Sequence, residues 1–151
     1  MKVGVFPGTF DPFTKGHESV VDKAIELFDK IYIAIGVNSQ KGCLFDLETR
    51  KNHISHLYSK NDNIHVIHYE GLTVDLCEKL GSKHIVRGLR DSKDFEYEKS
   101  ISQMNRQLTS VETIFFMTDP VYSPINSSIV REIYLNGGNI SVFVTNFEKL
   151  V

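Results

Sequence analysis

The chain lacks a long apolar run at its N-terminus: Val3 to Phe6 is cut off by Pro7 and Gly8, far short of a signal peptide or a membrane span. A cytoplasmic protein is expected. Cysteine is scarce as well, with only Cys43 and Cys77, far apart and without C-x-x-C pairing. No disulfide framework or zinc ribbon is indicated, and both thiols are expected to be small apolar fillers. An excess of one charge is also missing. Seventeen Lys and Arg against nineteen Asp and Glu leave a net charge of −2, so no global field draws the chain to nucleic acid or an anionic membrane. Any anion it binds must be held by local residues. Four prolines and ten glycines, with 41% apolar and 24% charged positions, exclude collagen-like, mucin-like and disordered chains. What remains is one globular domain over residues 1–151, long enough to bury roughly two thirds of its unfolded surface.

Short apolar runs alternate with segments of helical period. Val3 to Phe6, Ile31 to Ile35, Ile64 to Ile67, His84 to Val86 and Thr113 to Met117 are β-branched or aromatic and bounded by turn residues, as strands buried on both faces should be. Val20, Val21, Ala24, Ile25 and Phe28 recur at steps of three and four, which predicts an amphipathic helix before the second strand. Asp46 to Tyr58, Leu72 to Leu80 and Ser92 to Leu108 follow the same rule, the last with a Tyr97, Ile101, Met104, Leu108 stripe. Ser127 to Leu135 forms a further helix, stopped by Asn136, Gly137 and Gly138, and the tail to Val151 is apolar enough to fold back on the domain. The expected fold is α/β: a Rossmann-like five-stranded parallel sheet with helices on both faces. Ligands in such sheets bind beyond the carboxyl ends of the strands, where strand order reverses.

Among the loops at that edge, neither G-x-G-x-x-G nor G-K-[ST] occurs, so the dinucleotide fingerprint and the Walker A loop are both unavailable. A zincin is excluded because Val21 stands where its second histidine is required. His53 and His56 are expected to be solvated surface histidines, without a third metal ligand nearby.

Three clusters remain. The first is Gly8-Thr9-Phe10-Asp11-Pro12-Phe13-Thr14-Lys15-Gly16-His17, between the first strand and the first helix. Its glycines let backbone amides approach an anion, and His17 lies on the inward stripe of the helix mouth. The second is Val86-Arg87-Gly88-Leu89-Arg90-Asp91, where Arg87 and Arg90 can present planar forks to phosphate or pair with Asp91 or Asp94. Nearby Glu98 borders an apolar helix face and can hold an adenosine hydroxyl or an arginine. The third is Tyr122-Ser123-Pro124-Ile125-Asn126-Ser127-Ser128, whose polar side chains and free amides suit an anion or a helix cap. With Lys41 after the second strand, the clusters describe a polyphosphate pocket around one histidine.

These residues carry a family resemblance. G-T-F-D-P with T-x-G-H, V-R-G-L-R-D, D-F-E-Y-E, M-N-R and the late Ser-rich helix start resemble the bacterial-type phosphopantetheine adenylyltransferases of the T/H-x-G-H nucleotidyltransferase superfamily, from end to end. T-x-G-H alone marks only the superfamily. The resemblance implies transfer of an adenylyl group from ATP, with Mg2+, to 4′-phosphopantetheine, giving dephospho-coenzyme A and pyrophosphate. It implies that Thr9 and Lys41 hold the acceptor phosphate, Thr73 contacts the pantetheine arm, and Arg87 serves both acceptor and ATP. His17 matches the transition-state histidine. Thr9, Phe10, Gly88, Leu89, Arg90 and Glu98 match ATP contacts, as do Tyr122, Ser123, Pro124, Ile125, Asn126, Ser127 and Ser128. Asn126 stands where the family commonly has serine, and Pro124 where it often has an aromatic residue. A homohexamer of two stacked trimers and inhibition by coenzyme A are further implications.

The expected mechanism is direct in-line attack. A phosphate monoester with a second pKa near ~6 is already largely a dianion at neutral pH, so no general base is required. His17, Lys41, Arg90, Ser127 and Ser128 are the expected catalytic donors around the transferred group. No carboxylate cluster suits a metal cage, so magnesium is expected to arrive on the triphosphate. The alternatives are another T/H-x-G-H enzyme, such as a nicotinate mononucleotide adenylyltransferase or a cytidylyltransferase, and a nucleotide-binding regulator without turnover.

Overall fold

A computed structural model describes residues 1–151. Strand and helix alternate as β1 (Val3–Gly8), α1 (Lys15–Ala24), β2 (Lys30–Gly36), α2 (Leu47–Leu57), β3 (Ile64–Tyr69), α3 (Thr73–Lys79), β4 (His84–Leu89), α4 (Ser92–Leu108), β5 (Glu112–Met117) and α5 (Ser127–Leu135). All pairings are parallel, in the order β3-β2-β1-β4-β5. The expected α/β architecture is observed.

Alternation along each strand builds two cores. Phe6, Ile31, Ile33, Ile35, Ile64 and Val86 meet Val20, Val21 and Ala24 of α1 and Ile54 of α2 on one face. Val5, Ala34 and Ile85 meet Val74 and Cys77 of α3 on the other. Helices therefore cover both faces, as continuous apolar strands require. A third cluster seats the C-terminal segment, through Ile140, Val144 and Leu150, against Val130 of α5 and Phe45.

Strand boundaries differ from the sequence pattern in one informative place. β1 runs through Pro7 to Gly8, where proline was expected to end it. Pro7 pairs with Ala34 of β2, but the ladder to β4 holds only Gly4 to His84 and Val5 to Ile85. Beyond Val5, β1 and β4 splay apart, so the missing proline N–H breaks no ladder bond. This parting lies where the strand order turns from β2 to β4, and it opens the cleft described below. β4 in turn extends to Leu89, so Arg87 and Gly88 sit on a strand and not in a loop.

Three other expectations are corrected. The α4 stripe does not face the core: Tyr97, Met104 and Leu108 are exposed, and only Glu98 of that helix is buried. His53 is fully buried, and its Nε2 donates to the Thr145 carbonyl at 2.8 Å. Its position on α2 opposite the returning C-terminal segment, invisible to local periodicity, explains the burial. His56 is exposed as expected. Cys77 is a buried filler, whereas Cys43 is only half-buried in the loop after β2.

Gly88 sets the distance between β4 and α1, since a Cβ there would lie 2.5 Å from Val20 Cγ2. Gly88→Ala is expected to destabilise the protein by about 1–3 kcal/mol, the usual cost of overpacking. Denaturant titration of the folded variant measures it.

Candidate active site

The cleft between β1 and β4 encloses about 410 Å3 and is lined by residues from all three sequence clusters. Thr9, Phe10, His17, Lys41, Arg87, Gly88, Arg90, Glu98, Ile125, Asn126, Ser127 and Ser128 meet there. A second cleft of about 540 Å3 joins it along Pro7, Gly8, Thr9, Lys41, Arg87 and Glu98. Thr73 lines this second cleft and shares a 2.8 Å hydrogen bond with the Tyr69 hydroxyl. Leu89, Tyr122, Ser123 and Pro124 line neither. Leu89 is buried, and residues 122–124 form a turn whose Ile125 amide donates back to the Tyr122 carbonyl.

His17 is held by geometry and by its surroundings. Thr14, extended at φ −105°, precedes the first turn of α1, and its backbone N–H donates to His17 Nδ1 at 2.9 Å. The ring sits among Phe6, Phe10 and Phe13, with centroids 5.1 Å from Phe10 and 5.2 Å from Phe13. Burial, reinforced by Arg87 and Arg90, pushes its pKa down to about 3. The imidazole is therefore neutral at physiological pH. Because Nδ1 accepts a hydrogen bond, the single ring proton must reside on Nε2, which makes Nε2 a preset donor.

Each arginine is oriented by a carboxylate. Arg87 donates to Glu98 through Nε at 2.9 Å and Nη2 at 2.5 Å, and its Nη1 reaches the Pro7 carbonyl. Glu98 thus holds an arginine, one of the two options its sequence position offered. Arg90 donates to Asp94 through Nε at 3.1 Å and to the Ile125 carbonyl through Nη1 at 3.1 Å. Burial raises the Asp94 pKa, but the Arg90 bonds outweigh it and hold the carboxyl below its ordinary value.

At the start of α5, Asn126 Oδ1 accepts the amides of Ser128 at 2.8 Å and Ile129 at 3.4 Å. Asn126 is thus an N-cap, the role open to it from sequence. Ser127 Oγ donates to the Pro12 carbonyl at 3.2 Å. Ser128 Oγ accepts from Arg131 Nη2 at 3.1 Å, which leaves its own hydroxyl proton free for the cleft.

Several residues of this site escaped the sequence clusters. Arg131 lines the cleft one turn beyond Ser127 and Ser128, a helical spacing that could have flagged it. Asp11 lies inside the first cluster but has no role assigned to it there; it ties the first loop to the second by accepting the Leu44 amide at 2.8 Å and the Phe45 amide at 2.9 Å. Tyr97, Ile101 and Asn105 of α4 line the second cleft, which accounts for part of the outward stripe.

The carboxylates here do not form a resident metal site. Asp11 is occupied by amides, Asp94 by Arg90 and Glu98 by Arg87. What the clefts offer is a concentration of cations and donors meeting at Thr9, Lys41 and Arg87, suited to phosphate groups entering from two sides.

Comparison with known proteins agrees with that chemistry. Residues 5–133 match the family model described as Cytidylyltransferase-like, and the chain belongs to that family of nucleotidyltransferases. A phosphopantetheine adenylyltransferase of Flavobacterium psychrophilum is 51% identical over 144 residues, covering 95% of each chain. That of Bacteroides thetaiotaomicron is 44% identical over the same coverage. Within the family, the chain belongs with the phosphopantetheine adenylyltransferases. The fold also matches the crystal structure of a Vibrio parahaemolyticus protein assigned as a nicotinate-nucleotide adenylyltransferase, with TM-score 0.71, 19% identity and coverage of 99% of this chain and 97% of that one. No helix is long and apolar enough to cross a membrane.

Two outcomes follow from the local geometry. Asn126→Ser should change stability by only a few tenths of a kcal/mol, since the two residues cap about equally well, and ATP affinity should hardly move. A large rise in KM for ATP would make Asn126 a direct ligand. His17 is depressed from 6.5 to about 3 on folding, so the unfolded chain binds the extra proton between those values. Stability should therefore fall as pH drops through this window, and His17→Gln should lessen that fall in denaturant titrations.

Proposed function

We propose that the chain transfers the adenylyl group of ATP to 4′-phosphopantetheine, giving dephospho-coenzyme A and pyrophosphate. The observation that carries this reading is the junction of the two clefts at Thr9, Lys41 and Arg87, with His17 facing the first. ATP occupies the first cleft, its triphosphate toward Ser127, Ser128 and Arg131. The pantetheine arm lies in the second, along Thr73 and α4. The acceptor phosphate sits at the junction, held by Thr9, Lys41 and Arg87.

One oxygen of the acceptor phosphate attacks the α-phosphorus. The bond from that phosphorus to the bridging oxygen of the β-phosphate breaks, and pyrophosphate leaves with the electron pair. Arg90 and the start of α5 neutralise the leaving charge, while His17 Nε2–H meets the oxygens of the transferred group. No proton has to be removed from the nucleophile, which agrees with a histidine too acidic to serve as a base. Magnesium arrives as part of the ATP substrate and screens its phosphates.

The finer readings belong to the same proposal: a cytoplasmic enzyme, inhibited by coenzyme A, assembled as a homohexamer. The exposed apolar residues Met104 and Leu108 on α4 support an assembly.

The direct test is pyrophosphate release with ATP and either 4′-phosphopantetheine or nicotinate mononucleotide. Turnover should be selective for the former, and equal turnover would contradict the assignment. His17→Ala should lower kcat and kcat/KM together by a hundredfold or more, about 3 kcal/mol, with KM for ATP little changed. Near-normal kcat in the folded variant would remove His17 from the mechanism.

A further inference from the structure

The C-terminal segment is tied twice to the first turn of α1, the turn that carries His17. The Lys15 amide donates to the Phe143 carbonyl at 2.9 Å, which satisfies one of the amides that a helix start leaves without an internal partner. Two residues further on, the Thr145 hydroxyl donates to Glu18 Oε2 at 2.7 Å. Thr145 is also held from its other side, because its carbonyl accepts His53 Nε2 of α2 at 2.8 Å. One residue therefore bridges α1 to α2 through a side chain and a backbone group. The segment that presents it is anchored, with Ile140 and Val144 buried beside Val130 and Phe45.

No cationic side chain lies within salt-bridge distance of Glu18. Burial pushes its carboxyl above the ordinary value, and the Thr145 hydroxyl opposes that rise. Apolar side chains of similar size would join the same elements without the cost of desolvating a carboxylate. What the hydrogen bond adds is direction, since it fixes how the first turn of α1 is rotated against α2.

Glu18 follows His17 directly, so any rotation of this turn carries the imidazole with it. The ring is also seated from α2. Tyr58, which ends that helix, meets Phe13 edge-on at 6.2 Å between centroids, and Phe13 lies 5.2 Å from His17. α2 thus reaches His17 along two paths, through Phe13 to the ring and through Thr145 and Glu18 to the backbone. Glu18, His53 and Thr145 line neither cleft.

We propose that Thr145 is a positioning residue for adenylyl transfer, whose hydroxyl clamps the first turn of α1 to α2 and keeps His17 Nε2 aimed at the transferred group. The proposal rests on the reading of His17 as the donor to that group.

Thr145→Val removes the hydroxyl at nearly constant shape, and Thr145→Ser retains it. Both are compared with wild type at saturating substrates, well below the unfolding temperature, with the fold checked by circular dichroism. Thr145→Val should lower kcat about tenfold, as a small misplacement of a catalytic group does, with both KM values little changed. Thr145→Ser should recover most of that loss. Glu18→Leu, which removes the acceptor instead of the donor, should match Thr145→Val, and the double variant should be no slower than either, because one bond is lost in all three. Nitrogen NMR of His17 needs no substrate: its Nε2–H signal should shift or broaden in Thr145→Val and return to the wild-type form in Thr145→Ser. Wild-type kcat in folded Thr145→Val, equal losses in Thr145→Val and Thr145→Ser, or a lowered melting temperature with kcat intact would each overturn the proposal. If the wild-type protein releases no pyrophosphate with 4′-phosphopantetheine, the assigned reaction fails and the spectra alone decide the clamp: a displaced His17 signal in Thr145→Val sustains it, and an unaltered one overturns it.

Discussion

The hydrogen bond from the Thr14 amide to His17 Nδ1 fixes which nitrogen of the imidazole carries the proton, and the rest of the site is arranged around that choice. A histidine in water samples both tautomers and the cation. Here the amide removes one tautomer and the aromatic surroundings remove the cation, leaving a neutral donor at Nε2. The local sequence serves this end. Phe10 adopts φ 51°, an uncommon conformation for a bulky residue, and its ring lies where a Cβ on Gly8 would be 2.7 Å away. Glycine at position 8 therefore permits Phe10 to pack edge-on against His17.

The second constraint is the parting of β1 from β4. Parallel strands joined by a full ladder leave no room for a ligand, and here the ladder stops after Val5. Arg87 spans the gap by donating to the Pro7 carbonyl while Glu98 holds its other edge. Arg90 is fastened in the same way between Asp94 and Ile125. Arginines held in place before a ligand enters have less side-chain freedom to lose when phosphate binds. They also help to keep His17 neutral, so positioning and electrostatics come from the same contacts.

Much of this was legible in the sequence because periodicity reports burial. The five strands, the order of helices and the edge that bears the ligand follow from apolar runs and turn residues, and the T-x-G-H and V-R-G-L-R-D segments fall at that edge. The failures share a cause. Pro7 reads as a strand end only if β1 is bonded on both sides throughout, and the local pattern does not say that its partner departs. The α4 stripe has the spacing of a core face, yet Tyr97 and Ile101 line a cleft and Met104 and Leu108 face outward. Arg50 and Arg131 resemble ordinary charged helix positions, since their partners at Thr9 and Asp11 are distant in the chain. Long-range contacts decide each case, and no window along the sequence contains them.

The most direct test of the neutral-donor claim is nitrogen NMR of the folded protein labelled in histidine, followed from neutral pH downward. His17 should show a protonated Nε2 and an unprotonated Nδ1, with no titration near the ordinary histidine value of about 6.5. A protonated Nδ1, or a ring that becomes cationic near that value, would contradict the account of how this site holds its transferred group.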